Sequence, residues 1–572
     1  MKRRILGTAL ALVILAAVLA GCGNPNWADT QAPEENAGYT KAETAGETTD
    51  GEYAEAVAEE PAGDLEGSLY AEEENSREDD ESYALSCYDF DPAQENTEEY
   101  SQWEEKGFSS VMREPRSTFS ADVDTASYAN LRRLILEGYS LDELPKGAVR
   151  IEEMLNYFTY DYVGPYGNEP FGVTTQISEC PWNKEAQLLM IGLKTQEIDY
   201  EDAPAANLVF LLDVSGSMGD YDKLPLLQEA FGMLAENLTE KDRISIVTYS
   251  NQDKVILKGV PGDKTSRIVG ALNGLEAGGG TNGSRGLETA YRIAEENFIK
   301  GGNNRVILAT DGDLNIGMTS EEELEELITE KKESGVFLSV LGFGTGNIKD
   351  NKMETLADKG NGNYSYIDSL REAKKVLSDE MTATLLTICK DVKFQVEFNP
   401  AVVTQYRLIG YENRELATED FADDTKDAGE IGAGHSVTAL YELILKDPLA
   451  PVSEDKIAEL KYADNYKEEL KEMGVESSAV EEEWLTIGIR YKKPAEDESS
   501  LLQYPVSFDS YTKEPGEDFL FAAAAAEFGL LASHSSFPEN ASIAHVLLQL
   551  DGLDLDDEYK AEFEELVKMT VR

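Results

Sequence analysis

Five short apolar runs dominate the middle of the chain: Asn207–Leu212, Arg243–Tyr249, Arg305–Thr310, Val336–Gly342 and Tyr364–Ile367. Between them lie segments with apolar residues at helical spacing, among them Leu226–Asn237, Arg285–Phe298 and Glu321–Glu333. Strands that alternate with helices need crossover connections, so they pair in parallel with helices on both faces of the sheet. Lys254–Leu257 reads as a short edge strand. The expected fold class is therefore α/β, a doubly wound and mainly parallel sheet.

The pattern differs on either side. Val173–Ile177 and Gln187–Leu193 read as two strands before the alternating region. After Cys389, the segments Lys393–Phe398, Thr404–Ile409, Ser436–Leu445, Leu485–Tyr491 and Val506–Phe508 read as strands without regular helices between them. That arrangement predicts an antiparallel sheet or sandwich. Two early strands are too few to bury a face alone. They are expected to join the later strands in one β-sandwich, with the α/β domain inserted between. Helical patterns at Thr125–Leu136 and Val149–Phe158, and again at Glu517–Ala532, Ser542–Leu550 and Glu558–Met569, predict small N- and C-terminal helical modules. In numbers the expected division is 1–21, 22–115, 116–165, 166–203, 204–388, 389–512 and 513–572. Cys180 and Cys389 flank the insert, whose two ends should lie close together, so the sequence leaves open whether they form a disulfide, which would need their Cα atoms about 4.4–6.8 Å apart.

The chain opens Met1-Lys2-Arg3-Arg4, followed by an apolar run from Ile5 to Ala20. This run is too short for a comfortable spanning helix and reads as a signal peptide, residues 1–21. Leu19-Ala20-Gly21-Cys22 resembles the lipobox of bacterial lipoproteins, which implies cleavage before Cys22 and a lipid on its thiol. No later segment is long and apolar enough to span a bilayer, so that lipid is the expected membrane attachment, on the outer face of the cell membrane. From Gly23 to Ser110 the chain holds 26 acidic and 3 basic residues. So charged a segment forms no core and reads as an extended, disordered stalk, residues 22–115, with order beginning near Phe119. Overall, 111 Asp+Glu against 50 Lys+Arg give a formal charge of -61. No basic stripe offsets this, and nucleic-acid binding is excluded.

The strongest chemical signal is Asp213-Val214-Ser215-Gly216-Ser217, directly after an apolar strand. Alternate side chains of an extended segment point the same way, so Asp213, Ser215 and Ser217 converge as the chain leaves the sheet. One carboxylate and two hydroxyls are hard oxygen ligands suited to Mg²⁺, Mn²⁺ or Ca²⁺. Two further segments supply matching groups. Thr281 lies in the loop Gly278-Gly279-Gly280-Thr281-Asn282-Gly283, and Asp311 opens Asp311-Gly312-Asp313 at the end of another strand.

Together these residues resemble the metal-ion-dependent adhesion site of von Willebrand factor type A domains, over about residues 205 to 385. The resemblance implies that Asp213, Ser215, Ser217, Thr281 and Asp311 ligate one divalent cation, with Mg²⁺ expected and Mn²⁺ or Ca²⁺ as alternatives. It also implies that the strands ending at Asp213 and Asp311 are neighbours at the topological switch, where open α/β sheets bind ligands. Further stretches, Phe119–Tyr128, Tyr406–Glu412 and Asp427–His435, resemble the flanks of bacterial von Willebrand A lipoproteins often labelled Ca-activated chloride channel homologues.

Other motifs carry less. Asp122 and Asp124 read as turn and capping residues in preference to a metal pair. Asp311–Glu322 departs from an EF-hand loop, with Ile316 where the turn needs Gly. Gly342–Gly346 is a turn after a strand, not a dinucleotide loop. With His435, His534 and His545 the chain's three histidines, a zinc site rich in His is excluded. The function expected is a lipid-anchored binding or adhesion protein, not an enzyme, whose open metal position takes a carboxylate from a protein partner. The alternatives are a metal-assisted hydrolase using Asp213, Asp311 and Asp313, and a scaffold in which the metal is structural.

Overall fold

The structure is a computed structural model and describes residues 96–312, 321–446, 483–494, 496 and 498–571. All lie in the compact unit Asp89–Arg572. The expected signal peptide, Cys22, the stalk up to residue 95, Cys87 and Asp313 fall outside the described residues.

In chain order the described elements begin with strands β1 (Ser109–Ser110) and β2 (Arg116–Ser120), helices α1 (Ala126–Leu136) and α2 (Ile151–Asn156), and strands β3 (Phe171–Glu179) and β4 (Gln187–Thr195). The α/β domain follows: β5 (Ala206–Asp213), α3 (Leu224–Asn237), β6 (Arg243–Tyr249), β7 (Asp253–Pro261), α4 (Thr265–Leu272), α5 (Gly283–Glu296), β8 (Asn303–Thr310), α6 (Glu321–Lys332), β9 (Phe337–Phe343), α7 (Asp350–Lys359), β10 (Tyr364–Ile367), α8 (Leu370–Lys374) and α9 (Met381–Leu385). The chain then returns to strands, β11 (Thr387–Phe398), β12 (Val403–Ile409), β13 (Gly429–Gly432), β14 (Ser436–Leu445), β15 (Glu483–Lys492) and β16 (Ser500–Ser507). It ends in helices α10 (Glu517–Ala532), α11 (Ile543–Leu550) and α12 (Glu558–Met569).

The α/β sheet has the order β10-β9-β8-β5-β6-β7. All its pairings are parallel except that of the edge strand β7 with β6. Every residue of β5 is buried, because helices cover both faces and alternate side chains serve opposite cores. Phe210 and Leu212 pack with Leu227 and Phe231 of α3. Val209 and Leu211 pack with Ala290 and Tyr291 of α5. A strand sandwiched in this way reads as a continuous apolar run, with no alternation.

This domain is inserted into a β-sandwich. One antiparallel sheet runs β1-β12-β14-β4-β3, the other β13-β11-β15-β16 with β2 also on β11. The early strand β4 pairs along its length with β14, Leu189 opposite Tyr441 and Ile191 opposite Ala439. Leu189 and Ile191 share a core with Phe394, Val396 and Ile487 of the facing sheet. The two early strands therefore complete a sheet whose other members lie beyond the insert.

Two expectations are revised and one open question is answered. The N- and C-terminal helices form one module, not two: Tyr128, Leu155 and Phe158 share a core with Phe521, Phe528 and Phe563. The physical cause is α10, buried around most of its circumference, which needs partners on every side. Residues 96–115, assigned to the stalk, are packed. Thr97 N–H donates to Gly346 O at 3.0 Å and Glu99 N–H to Ile348 O at 2.9 Å, Glu98 pairs with Arg133, and Val111 joins the sandwich core. Their acidity is matched by basic partners far along the chain. Cys180 and Cys389 form no disulfide; both are free and buried, in different cores. The ends of the insert approach each other, but the two cysteines face separate layers.

Candidate metal centre

Strand β5 ends on Asp213, which is fully buried. Its Oδ1 accepts the Ser215 N–H at 2.8 Å, a local hook that turns the chain out of the sheet. Val214 N–H still donates to Tyr249 O at 3.0 Å, so the turn begins from a strand held in register. Ser215 Oγ and Ser217 Oγ then lie 3.0 Å apart. On the neighbouring strand, Thr310 Oγ1 donates to Asp213 Oδ2 at 3.4 Å, and Asp311 follows, 1% exposed. Four of the five sequence-derived residues thus gather at the C-terminal ends of the adjacent strands β5 and β8.

Thr281 is brought alongside by its loop. Gly278 N–H donates to Val214 O at 2.8 Å and Gly216 N–H to Gly279 O at 3.0 Å. Asn282 N–H donates to Ser250 O at 2.8 Å, and Gly280 N–H to Asn251 Oδ1 at 2.8 Å. Gly279 has φ +88°, and a Cβ there would stand 2.7 Å from Asn251 Nδ2. Glycine is required for both reasons.

Burial pushes the Asp213 carboxyl up to about 6; the hydrogen bonds from Ser215 oppose this, and the nearby charge of Asp311 adds to it. Two carboxylates forced together in a shielded place favour a cation between them. Sequence reasoning missed one participant. Lys223 Nζ lies 3.0 Å from Asp311 Oδ2, both side chains being buried. A lysine ten positions after Asp213 carries no local signal of that role. The donor set fits a hard divalent ion: two carboxylates and three hydroxyls, with no thiol or imidazole. Among the described residues no group of three or more His, Cys, Asp or Glu gathers as a metal site of another kind.

Asp122 and Asp124 serve a different purpose. Asp122 Oδ1 accepts the Asp124 N–H at 2.9 Å, the expected turn. Their other oxygens meet the guanidinium of Arg414 at 3.1 and 3.0 Å. Capping of α1 is not their role, since Thr125 stands at its N-terminus without a side-chain cap.

A doubly wound sheet with this loop constellation defines a von Willebrand factor type A domain, and residues 207–379 match the family of that name. Residues 94–190 match a family described as von Willebrand factor, and residues 383–572 match the C-terminal region of the uncharacterized protein YfbK. YfbK of Escherichia coli K12 is 41% identical over 487 residues, covering 83% of this chain and 82% of its own length. The chain belongs to the YfbK family. Among solved structures, a von Willebrand factor type A protein from Catenulispora acidiphila aligns with TM-score 0.40 and 16% identity, covering 72% of this chain and 91% of its own. A proximal thread matrix protein from the mussel byssus, solved with a zinc-occupied adhesion-site motif, is 24% identical with TM-score 0.26, covering 31% of this chain and 45% of its own.

Proposed function

We propose that the chain is a binding protein of the cell surface. Its partner is a protein that presents a carboxylate to a divalent cation held by Asp213, Ser215, Ser217, Thr281 and Asp311. The observation that carries this reading is the convergence of hard oxygen donors on the ends of β5 and β8, at the edge where open α/β sheets receive ligands. Mg²⁺ is the expected ion. It keeps several waters when few protein ligands saturate it, and such a water is what an incoming carboxylate replaces. Lipid on Cys22 would hold the chain to the outer face of the membrane, with the acidic segment that follows as a spacer.

Binding is favoured over catalysis by what surrounds the donors. His534 Nε2 lies against Leu144 O, His545 beside Glu527, and His435 in the turn before β14, so each histidine has a place in another part of the fold. Lys223 is engaged with Asp311. Among the described residues, then, neither these histidines nor Lys223 is placed to act as a base on a water or as a free cation beside a developing anion.

Calorimetric titration of Mg²⁺ and Mn²⁺ into wild type and Asp213→Ala tests the site. Wild type should bind one ion and the variant none. Cross-linking on intact cells should capture a partner in the wild-type strain and lose it both in Asp213→Ala and with chelator. Capture indifferent to both would remove the ion from the binding event. Phosphoester turnover that needs Mn²⁺ and Asp213 would overturn the non-enzymatic reading. Cys22→Ala should release the chain from the membrane fraction, and retention there would remove the anchor.

A further inference from the structure

Lys223 stands just before α3, six residues after Ser217, and its ammonium meets Asp311 Oδ2 at 3.0 Å. The lysine side chain is 7% exposed and the aspartate 0%, so the pair is shielded from water. The placement is fixed along the whole side chain. The stem crosses Gly344, where a Cβ would stand 2.4 Å from Lys223 Cγ and Cε, and where φ is +76°. The backbone is held on both sides, Lys223 N–H donating to Asp220 O at 3.1 Å and Leu227 N–H to Lys223 O at 2.8 Å. A lysine enclosed in this way has lost the rotamer freedom of a surface side chain. Its charge is part of the pocket.

An ammonium and a divalent cation would therefore share one carboxylate. With Asp213 and Asp311 ionised, the pocket carries two negative charges, and Lys223 balances one of them before any ion arrives. An entering ion must approach that positive charge and compete for Asp311 Oδ2. In a shielded pocket the repulsion is stronger than at the surface. The same ammonium offsets one of the two buried negative charges in the ion-free protein, where like charges held close together would be costly.

We propose that Lys223 is a built-in counter-charge of the metal centre: it keeps the ion-free site in shape, weakens the hold on a divalent ion, and leaves the loaded site with a net positive charge that favours an anionic ligand. The proposal rests on the reading of the five oxygen donors as a divalent-ion site, and its test separates the two.

Mn²⁺ alone is titrated calorimetrically into the full-length protein and its Lys223→Met and Lys223→Arg variants, and melting is followed with and without the ion. Lys223→Met keeps the stem over Gly344 and deletes the charge. It should bind Mn²⁺ at least about tenfold more tightly, melt at a lower temperature without ion, and gain more from saturating Mn²⁺ than wild type gains. Lys223→Arg should stay within about threefold of wild type. Equal or weaker binding by Lys223→Met, with wild type binding normally, overturns the proposal and leaves the metal centre standing. Mn²⁺ binding by none of the proteins at millimolar concentration removes the metal centre and this proposal with it. Should Lys223→Met fail to fold, Lys223→Gln retains a hydrogen-bond donor toward Asp311 without the charge, and the same tightening is required of it.

Discussion

Arg414 donates to Asp124 at 3.0 Å, and this contact closes a run of buried charge through all three parts of the fold. Arg414 follows β12 of the sandwich, and Asp124 precedes α1 of the helical module. The same guanidinium reaches Asp122 at 3.1 Å and Asp358 of α7 at 2.5 Å. Asp124 also accepts the N–H of Tyr364, at the start of β10, at 2.7 Å. Arg150 extends the run, pairing with Asp350 at 2.5 Å and with Glu153. Arg414→Met would leave three carboxylates without their cation. Breaking one side of a buried pair costs about 3–5 kcal/mol, and urea unfolding at neutral pH should show a loss of that order. A loss below about 1 kcal/mol would mean that water reaches these carboxylates freely.

The segment before β1 has a measurable structural role. Asp350 N–H donates to Glu99 O at 3.1 Å, and Glu105 reaches Arg407 at 3.0 Å, so residues 97–105 clamp both the inserted domain and the sandwich. A chain beginning at Asn96 should melt as wild type does. A chain beginning at Arg116 should lose on the order of 2–4 kcal/mol, since it strips the buried Arg407 and Arg133 of one partner each and takes Val111 out of the sandwich core. Limited proteolysis followed by mass spectrometry should find the stable core starting near Asn96. A core starting at Phe119 that melts like the full chain would contradict this.

Physical range explains which parts were readable from sequence. Strands β5 and β8 announce themselves because burial on both faces demands apolar residues at every position. The candidate metal donors announce themselves because Asp213, Ser215 and Ser217 sit within five residues of one another. Strand β2, Arg116–Ser120, was not seen: Phe119 is its single large apolar residue, and its place is fixed by pairing with β11, some 280 residues away. Lys223 and Arg414 were invisible for the same reason. Their carboxylate partners lie 88 and 290 residues off, and a sequence gives no sign of which charges a fold will bury together. The disulfide question stayed open in the sequence because proximity of the insert's ends says nothing about which layer each side chain enters.

Acid sensitivity should trace in part to His435. Burial holds its imidazole down to about 4; Lys375 lowers it further and Glu380 opposes. Those two groups are themselves paired. His435 Nδ1 is buried without a hydrogen-bond partner among the described residues. Because the folded value lies below the unfolded one, the unfolded chain takes up the proton first as pH falls. Stability is therefore lost between about pH 6.5 and 4, by on the order of 3 kcal/mol for this residue. Asp358, held up to about 6 by burial against the pull of Arg414, acts with the opposite sign over much of that range. The informative quantity is therefore the difference between wild type and His435→Gln. Urea unfolding at pH 7, 5.5 and 4.5 should show the variant losing less. Parallel losses would place the acid response elsewhere.

Gly279→Ala separates loop geometry from ligand chemistry at the candidate metal centre. The substitution removes no oxygen donor. It adds a Cβ where φ is +88° and where Asn251 Nδ2 would stand 2.7 Å away. A left-handed conformation costs a non-glycine residue roughly 1–2 kcal/mol, and Asn251 would have to give up its bond to Gly280 N–H. The loop that carries Thr281 should then draw away from Gly216, whose N–H now meets Gly279 O at 3.0 Å. The sheet beneath is held by β5, β6 and β8 and should be unaffected, so unfolding should shift by no more than about 2 kcal/mol. Ion binding should weaken about tenfold, because one hydroxyl is misplaced while both carboxylates remain. Titration of Mn²⁺ into Gly279→Ala beside Thr281→Ala makes the comparison. Similar weakening in the two variants would show that the glycine acts by positioning Thr281. An undiminished affinity in both would remove the loop from the ion's coordination and leave Asp213, Ser215, Ser217 and Asp311 to hold it alone.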